Sequence, residues 1–185
     1  MVTRPRHRGS VRIIGGHWRG RRIDLPAVAP PRPTPNRVRE TLFNWLAPTI
    51  EGARCLDLFA GSGALGIEAL SRRAGDIVFV ESDPRIARHL EEQLERLGSD
   101  AMVVNRPASA FLRDYRGPTF DVVFLDPPYE SSIDAVVVEA LGLLTDSGCV
   151  YLERAKADGL PELMHGRWIK RAAAASVCFG LAVRS

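Results

Sequence analysis

Cysteine is scarce. Cys55, Cys149 and Cys178 are odd in number and far apart in 185 residues. That excludes a disulfide framework and offers no zinc-ligand spacing, so no metal is expected. Lysine is scarcer still. Of 25 basic residues, 23 are arginine and only Lys156 and Lys170 are lysine; a GC-rich genome explains this bias as readily as function does. No apolar run is long enough to cross a bilayer. The basic N-terminus lacks the apolar segment of a signal peptide, so the expected location is cytoplasmic. There is no internal repeat. Acids are nearly missing from one end. Residues 1–39 hold ten arginines and one acid, Asp24, for a net +9; residues 40–185 hold 15 basic and 21 acidic residues, for a net −6, and the two sum to the +3 of the chain. A basic arm on an acidic body points to a polyanionic partner.

The apolar content of 45% is ordinary for a packed core. The length suits one domain with a small appendage. Residues 1–35 read as a basic arm, a β-hairpin and a proline-rich linker; residues 36–185 read as the body. In the hairpin, Val11 to Ile14 alternates loosely, Gly15-Gly16 breaks the pattern, and Trp18 to Leu25 returns with arginines on one face. Residues 26–35 carry five prolines, a stiff extended stretch expected to run over the body's surface. Thr34-Pro35 resembles an N-cap and a first-turn proline. Val38, Leu42, Trp45 and Leu46 follow at helical spacing, and Arg37, Glu40 and Asn44 lie away from that stripe.

From Arg54 onward strands (near 54–59, 76–81, 101–105, 120–126, 147–153) alternate with helices (near 63–73, 84–97, 107–115, 132–144). Runs such as Ile77-Val78-Phe79-Val80 are apolar throughout, as strands covered on both faces are. The alternation predicts an α/β fold with right-handed crossovers and a parallel sheet. Arg167–Arg171 and Ser176–Val183 have no long helix between them, so an antiparallel hairpin is expected to finish the sheet.

Two motifs carry chemistry. Asp126-Pro127-Pro128-Tyr129 ends the strand Phe120–Leu125. Neither proline has a backbone N–H, and both have φ set near −65°. The corner can hold a carboxylate, a carbonyl and a flat ring in one relation, which suits a planar group bearing an NH₂. The plain alternative is a strand-end turn with a solvated acid. The second motif, Leu56 to Gly66, contains G-x-G-x-x-G between strand and helix, the setting of a nucleotide loop. Asp57, Phe59, Gly61, Ser62 and Gly63 are its candidate contacts. A carboxylate at Asp57 repels a diphosphate and favours a ligand carrying an amino group and a sulfonium, as S-adenosylmethionine does. Glu81, 20 residues past Gly61, suits ribose hydroxyls, and Asp83 is a nearby candidate; both fit a solvated turn as well. The loop Asn105 to Ala108 is placed to cover an adenine through backbone groups around Arg106 and Ala108.

With both motifs placed, the chain resembles a class I S-adenosylmethionine-dependent methyltransferase. More closely, it resembles the RsmD family of small-subunit ribosomal RNA guanine-N2 methyltransferases. Four stretches carry the likeness: Arg12 to Arg21, Arg32 to Leu46, Leu56 to Leu70, and Asp126 to Tyr129. The resemblance implies a Rossmann-like seven-stranded sheet, mostly parallel, with a C-terminal antiparallel hairpin and a small N-terminal hairpin extension. It implies that Asp126 and the Pro127 carbonyl hold a guanine amine and that Tyr129 stacks on the base. Thr34, Asn36 and Arg37 would lie over the cofactor pocket. Arg12, Arg19, Arg21 and Arg22 would meet the phosphates of small-subunit ribosomal RNA, within an assembled particle. Two departures stand out: Pro107 replaces a frequent asparagine, and residues 172–185 are alanine-rich. An adenine-N6 methyltransferase of DNA or RNA, a protein-amide methyltransferase and a non-catalytic RNA-binding assembly factor remain open alternatives. A nicotinamide-dependent oxidoreductase is disfavoured by Asp57.

Overall fold

The computed structural model describes residues 9–28, 34–127 and 133–185. The first element is a hairpin, β1 (Ser10–Arg12) with β2 (Arg22–Asp24), in antiparallel register. Val11 pairs with Ile23 on its buried face and Arg12 with Arg22 on its exposed face. Helix α1 (Asn36–Leu46) follows. Strands and helices then alternate: β3 (Arg54–Asp57), α2 (Ala64–Ser71), β4 (Asp76–Glu81), α3 (Pro84–Leu97), β5 (Met102–Asn105), α4 (Ala108–Asp114), β6 (Phe120–Leu125), α5 (Asp134–Gly142) and β7 (Leu144–Ala155). The chain closes with β8 (Gly166–Ala174) and β9 (Val177–Arg184).

The seven-stranded sheet has the order β5-β4-β3-β6-β7-β9-β8. Its first five strands are parallel, and β9 is antiparallel to both neighbours. The closing hairpin is therefore inserted rather than appended: the last strand sits inside, and β8 takes the edge. The side chains agree. Residues Val177 to Ala182 are buried in sequence, whereas β8 alternates between half-buried and exposed. An apolar strand takes the interior and a basic, half-polar one the rim.

Helices cover both faces. The α1, α2 and α3 side packs Leu42, Phe43, Ile67 and Leu90 on Cys55, Phe79, Phe124 and Tyr151. The α4 and α5 side packs Phe111, Val137 and Leu141 on Leu56, Val80, Val123 and Leu152. The helix α3 is bounded as its sequence dictates, with Asp83 accepting from the Arg85 amide, Pro84 in the first turn, and Gly98 at φ 75° ending it. Among the described residues, no helix is long and apolar enough to cross a membrane.

The N-terminal hairpin is built into the body. Ile13 and Ile23 belong to the same core cluster as the α1–α3 face. Gly15-Gly16 is more than a turn. A Cβ at Gly16 would collide with the Ser71 carbonyl, so glycine lets this loop lie against the end of α2. There the Ser71 carbonyl accepts from the His17 amide, and the Ser71 hydroxyl accepts from the Trp18 amide.

Candidate active site

Side-chain parity places the polar groups. Residues two apart on a strand share a face, and registered residues of neighbouring parallel strands do too. Asp57 pairs with Phe79 and with Phe124. Glu81 lies two beyond Phe79 and pairs with Asn105. Asp126 lies two beyond Phe124; Glu153 lies two beyond Tyr151, the partner of Phe124. The carboxyl ends of β5, β4, β3, β6 and β7 thus present Asn105, Glu81, Asp57, Asp126 and Glu153 on one face. Ligands of open α/β sheets bind at this edge.

The acids shape the glycine loop before any ligand arrives. Asp57 is 2% exposed, and its Oδ2 accepts the Gly66 amide at 3.0 Å. Glu81 Oε2 accepts the Gly61 amide at 2.9 Å, and its Oε1 accepts the Asp83 amide at 2.9 Å. The glycines divide the work. At Gly66 a Cβ would strike the Phe79 ring, so this residue permits helix-on-sheet packing. At Gly61, with φ 52°, a Cβ would meet nothing closer than the Phe59 carbonyl oxygen at 4.0 Å. That side of the loop is open to a ligand. Gly63 caps α2 in the left-handed region; Phe59 and Ser62 are half-buried beside it.

Burial pushes the Asp57 carboxyl up to about 7; the charges of Asp126 and Glu81 add to the effect, while the Gly66 bond opposes it. A buried acid whose charge is opposed in this way favours a ligand with a cationic centre and disfavours a diphosphate. Glu81 retains acceptor sites for a diol.

Asp83 is engaged otherwise. It caps α3, and its pairing with the Arg85 guanidinium holds it down at about 2. The Arg106 amide is turned inward, donating to the carbonyls of Glu81 and Val104, and its guanidinium pairs with Asp114 at 2.6 Å. Ala108 opens α4, where a first-turn amide has no intrahelical partner. Asn105, to which the sequence assigns no role, donates to the carbonyls of Glu81 and Ser82 at 2.8 and 3.1 Å. It braces the strand end that carries Glu81.

Asp126 follows β6, half-buried, and accepts the Thr34 hydroxyl at 3.1 Å. This corrects the expectation that Thr34 caps α1. The cap position is Pro35, whose ring has no acceptor to offer, and the Thr34 hydroxyl is spent on Asp126, 92 residues away. The contact brings the start of α1 to the sheet edge. Asn36 faces Arg39, whose Nη2 it accepts at 2.7 Å, and Arg37 is exposed. Pro127 is half-buried after Asp126. Pro128, Tyr129 and residues 29–33 of the proline-rich linker lie outside the described residues.

Sequence reasoning missed a second polar centre. Arg39 is fully buried and pairs with buried Glu68 at 3.5 Å. Arg39 also donates to the Arg12 carbonyl at 2.8 Å, and Glu68 accepts the Ile14 and Gly15 amides at 2.7 and 2.8 Å and Arg72 Nε at 2.9 Å. One ion pair therefore ties the hairpin, α1 and α2 together. A signal existed: Arg39, Leu42, Phe43 and Leu46 form one helical stripe. Glu68 and Arg72, four apart, read locally as an ordinary surface pair. On the hairpin, Arg12, Arg19, Arg21 and Arg22 are all exposed; Arg21 donates to the Arg96 carbonyl and Arg22 to the Ser10 hydroxyl.

Residues 11–179 match the family model described as "Conserved hypothetical protein 95". Ribosomal RNA small subunit methyltransferase D of Escherichia coli (strain K12) is 46% identical over 166 residues, covering 86% of this chain and 83% of the relative. The protein of the same name from Haemophilus influenzae is 42% identical over 162 residues, 84% of each. Among solved structures, the methyltransferase yhhF from Escherichia coli superposes with a TM-score of 0.82 at 41% identity, covering 96% of this chain and 99% of that one.

Proposed function

The chain belongs to the RsmD family, and from that premise we propose that it moves a methyl group from S-adenosylmethionine to the N2 amine of a guanine in small-subunit ribosomal RNA. The observation that carries this reading is the placing of Asp126 one strand from Asp57, at the edge that the glycine loop opens. A base-holding acid and a cofactor-holding acid then face one site.

The residues fit the cofactor by their chemistry. Asp57 and Glu81 offer negative charge to a cation, the open side of Gly61 admits a backbone contact, and Glu81 takes ribose hydroxyls. S-adenosylmethionine supplies an electrophilic methyl on a sulfonium. Asp57, being buried, acts on it by its charge and by holding the loop through Gly66.

The substrate amine is a poor nucleophile because its lone pair is delocalised into the purine. The Asp126 carboxylate and the Pro127 carbonyl each accept one of its N–H bonds. This draws the nitrogen towards a tetrahedral shape and frees the lone pair. Thr34 steadies the other side of the carboxylate through its hydroxyl. Tyr129 stacks on the base. The base leaves its own stack to reach the edge, at a cost of a few kcal/mol, and a loop or bulge in RNA lowers that cost. The exposed arginines of the hairpin take the phosphates, and an assembled particle in the cytoplasm is the form of substrate that a docked, one-sided basic surface suits.

The test uses small subunits from cells that lack the protein. Asp126→Ala is expected to cut methyl transfer by ~10²–10³ while calorimetry finds cofactor affinity retained. Full turnover by that variant would remove Asp126 from the chemistry.

A further inference from the structure

Asp126 and Pro127 hold an exocyclic amine of either purine, so something else must separate guanine from adenine. We propose that Glu153 selects the base, its carboxylate accepting the N1–H of the guanine whose N2 amine Asp126 holds. This rests on the function proposed above and names the specificity of the same site.

Glu153 is 5% exposed and ends the apolar run Val150-Tyr151-Leu152. An acid so placed costs several kcal/mol unless its bonds are satisfied, and a residue chosen only for packing would be apolar. Its position is specific. Leu125 of β6 pairs with Leu152 of β7, so the next residues, Asp126 and Glu153, are neighbours across the strand ends. Both lie two beyond Phe124 and Tyr151, whose rings meet edge-on at 6.4 Å, and so both share that face. Below them the Tyr151 hydroxyl donates to Glu153 Oε2 at 2.9 Å and orients the carboxylate. Burial and the charges of Glu153 and Asp126 keep this phenol protonated, so it remains a donor.

Two acids side by side read a particular edge. Guanine presents N1–H next to its N2 amine, a donor beside a donor. Adenine presents an acceptor nitrogen on each side of its N6 amine. Asp126 with Glu153 satisfies the first and repels the second. Sites that hydrogen-bond a substrate group reject analogues lacking it strongly, because their own buried polar atoms are left unpaired.

Glu153→Gln keeps the shape and can still accept from Tyr151, but turns an NH₂ towards the base. On small subunits from cells lacking the protein, kcat/KM is expected to fall ~10²-fold, with cofactor affinity and Tm unchanged. Guanosine and 2-aminopurine riboside serve as competing ligands; the latter keeps the C2 amine and lacks N1–H. The unaltered protein is expected to favour guanosine, and Glu153→Gln to lose or reverse that preference. Undiminished kcat/KM, or an unchanged preference, overturns the assignment. So does a loss of Tm and cofactor affinity in parallel with activity, which would make Glu153 structural; Glu153→Asp, which keeps the charge, must then restore the fold without the selectivity for the assignment to stand. If the unaltered protein yields no N2-methylguanine, the functional reading itself fails, separately from the part given to Glu153.

Discussion

Asp57 carries a charge that the unliganded fold resists. Its carboxyl sits at about 7 against an ordinary 3.8, chiefly through burial. A raised folded value means that the native chain holds the proton more tightly than the unfolded chain. The stability so gained is complete below the ordinary carboxylate range and is lost as pH rises through about 7. A cationic ligand reverses the preference, because it favours the ionised acid. Binding of S-adenosylmethionine is therefore expected to tighten from about pH 6 to about pH 8 and to release a proton. Calorimetry in buffers of different ionisation enthalpy measures both. Asp57→Asn is expected to weaken binding and to flatten its pH profile. Equal affinity across that range in the unaltered protein would deny the charge any part. Around it, Gly61 and Gly66 show how one loop serves two ends: one glycine is open to a ligand, the other is closed against Phe79.

At the level of elements, the buried pair of Arg39 and Glu68 joins three pieces that are distant in sequence. Glu68 is the more heavily used partner, since it also takes the Ile14 and Gly15 amides and Arg72. Glu68→Ala leaves a buried guanidinium without its carboxylate and the half-buried Ile14 and Gly15 amides without their acceptor. Breaking a buried pair in this way costs ~3–5 kcal/mol. Arg39→Met is expected to cost less, because Glu68 keeps Arg72 and both amides. Urea unfolding measures the two, and the reverse order would place the weight of the junction on Arg39. The junction also reaches the site. Arg39 fixes Asn36 at the start of α1, and Thr34, two residues earlier, holds Asp126.

Across the whole molecule, charge is divided by place. Acids gather at the carboxyl edge of the sheet, where the proposed cofactor and base sites lie. Arginines stand on a hairpin docked outside α2 and α3, through Ser71 and through the Asp24 carbonyl, which meets His89 and Gln93. Removing the hairpin would strip Ile13 and Ile23 from the core and uncover Glu68, so substitution is the cleaner probe. Replacing Arg12, Arg19, Arg21 and Arg22 by glutamine is expected to reduce the slope of log K against log salt for RNA by ~0.7–0.9 for each phosphate that is no longer neutralised. Cofactor affinity is expected to stay as it is. An unaltered slope would remove the hairpin from the RNA interface.

The sequence alone determined the alternation of strands and helices, the parallel core and the two motifs at strand ends. These rest on local signals: apolar runs of strand length, helical stripes, glycines and prolines whose backbone limits hold anywhere. The helix over 84–97 was legible to the residue, because Asp83-Pro84 starts it and Gly98 stops it. Tertiary structure alone decided where β9 inserts, that Thr34 serves Asp126 instead of capping α1, that Arg39 and Glu68 form a buried pair, and that Glu153 stands beside Asp126. Each depends on pairing between segments far apart in the chain, and the free energy of such a contact comes from burial and register that no local window contains. Five polar side chains share one face because strands of separate origin lie in register, and only the folded sheet sets that register.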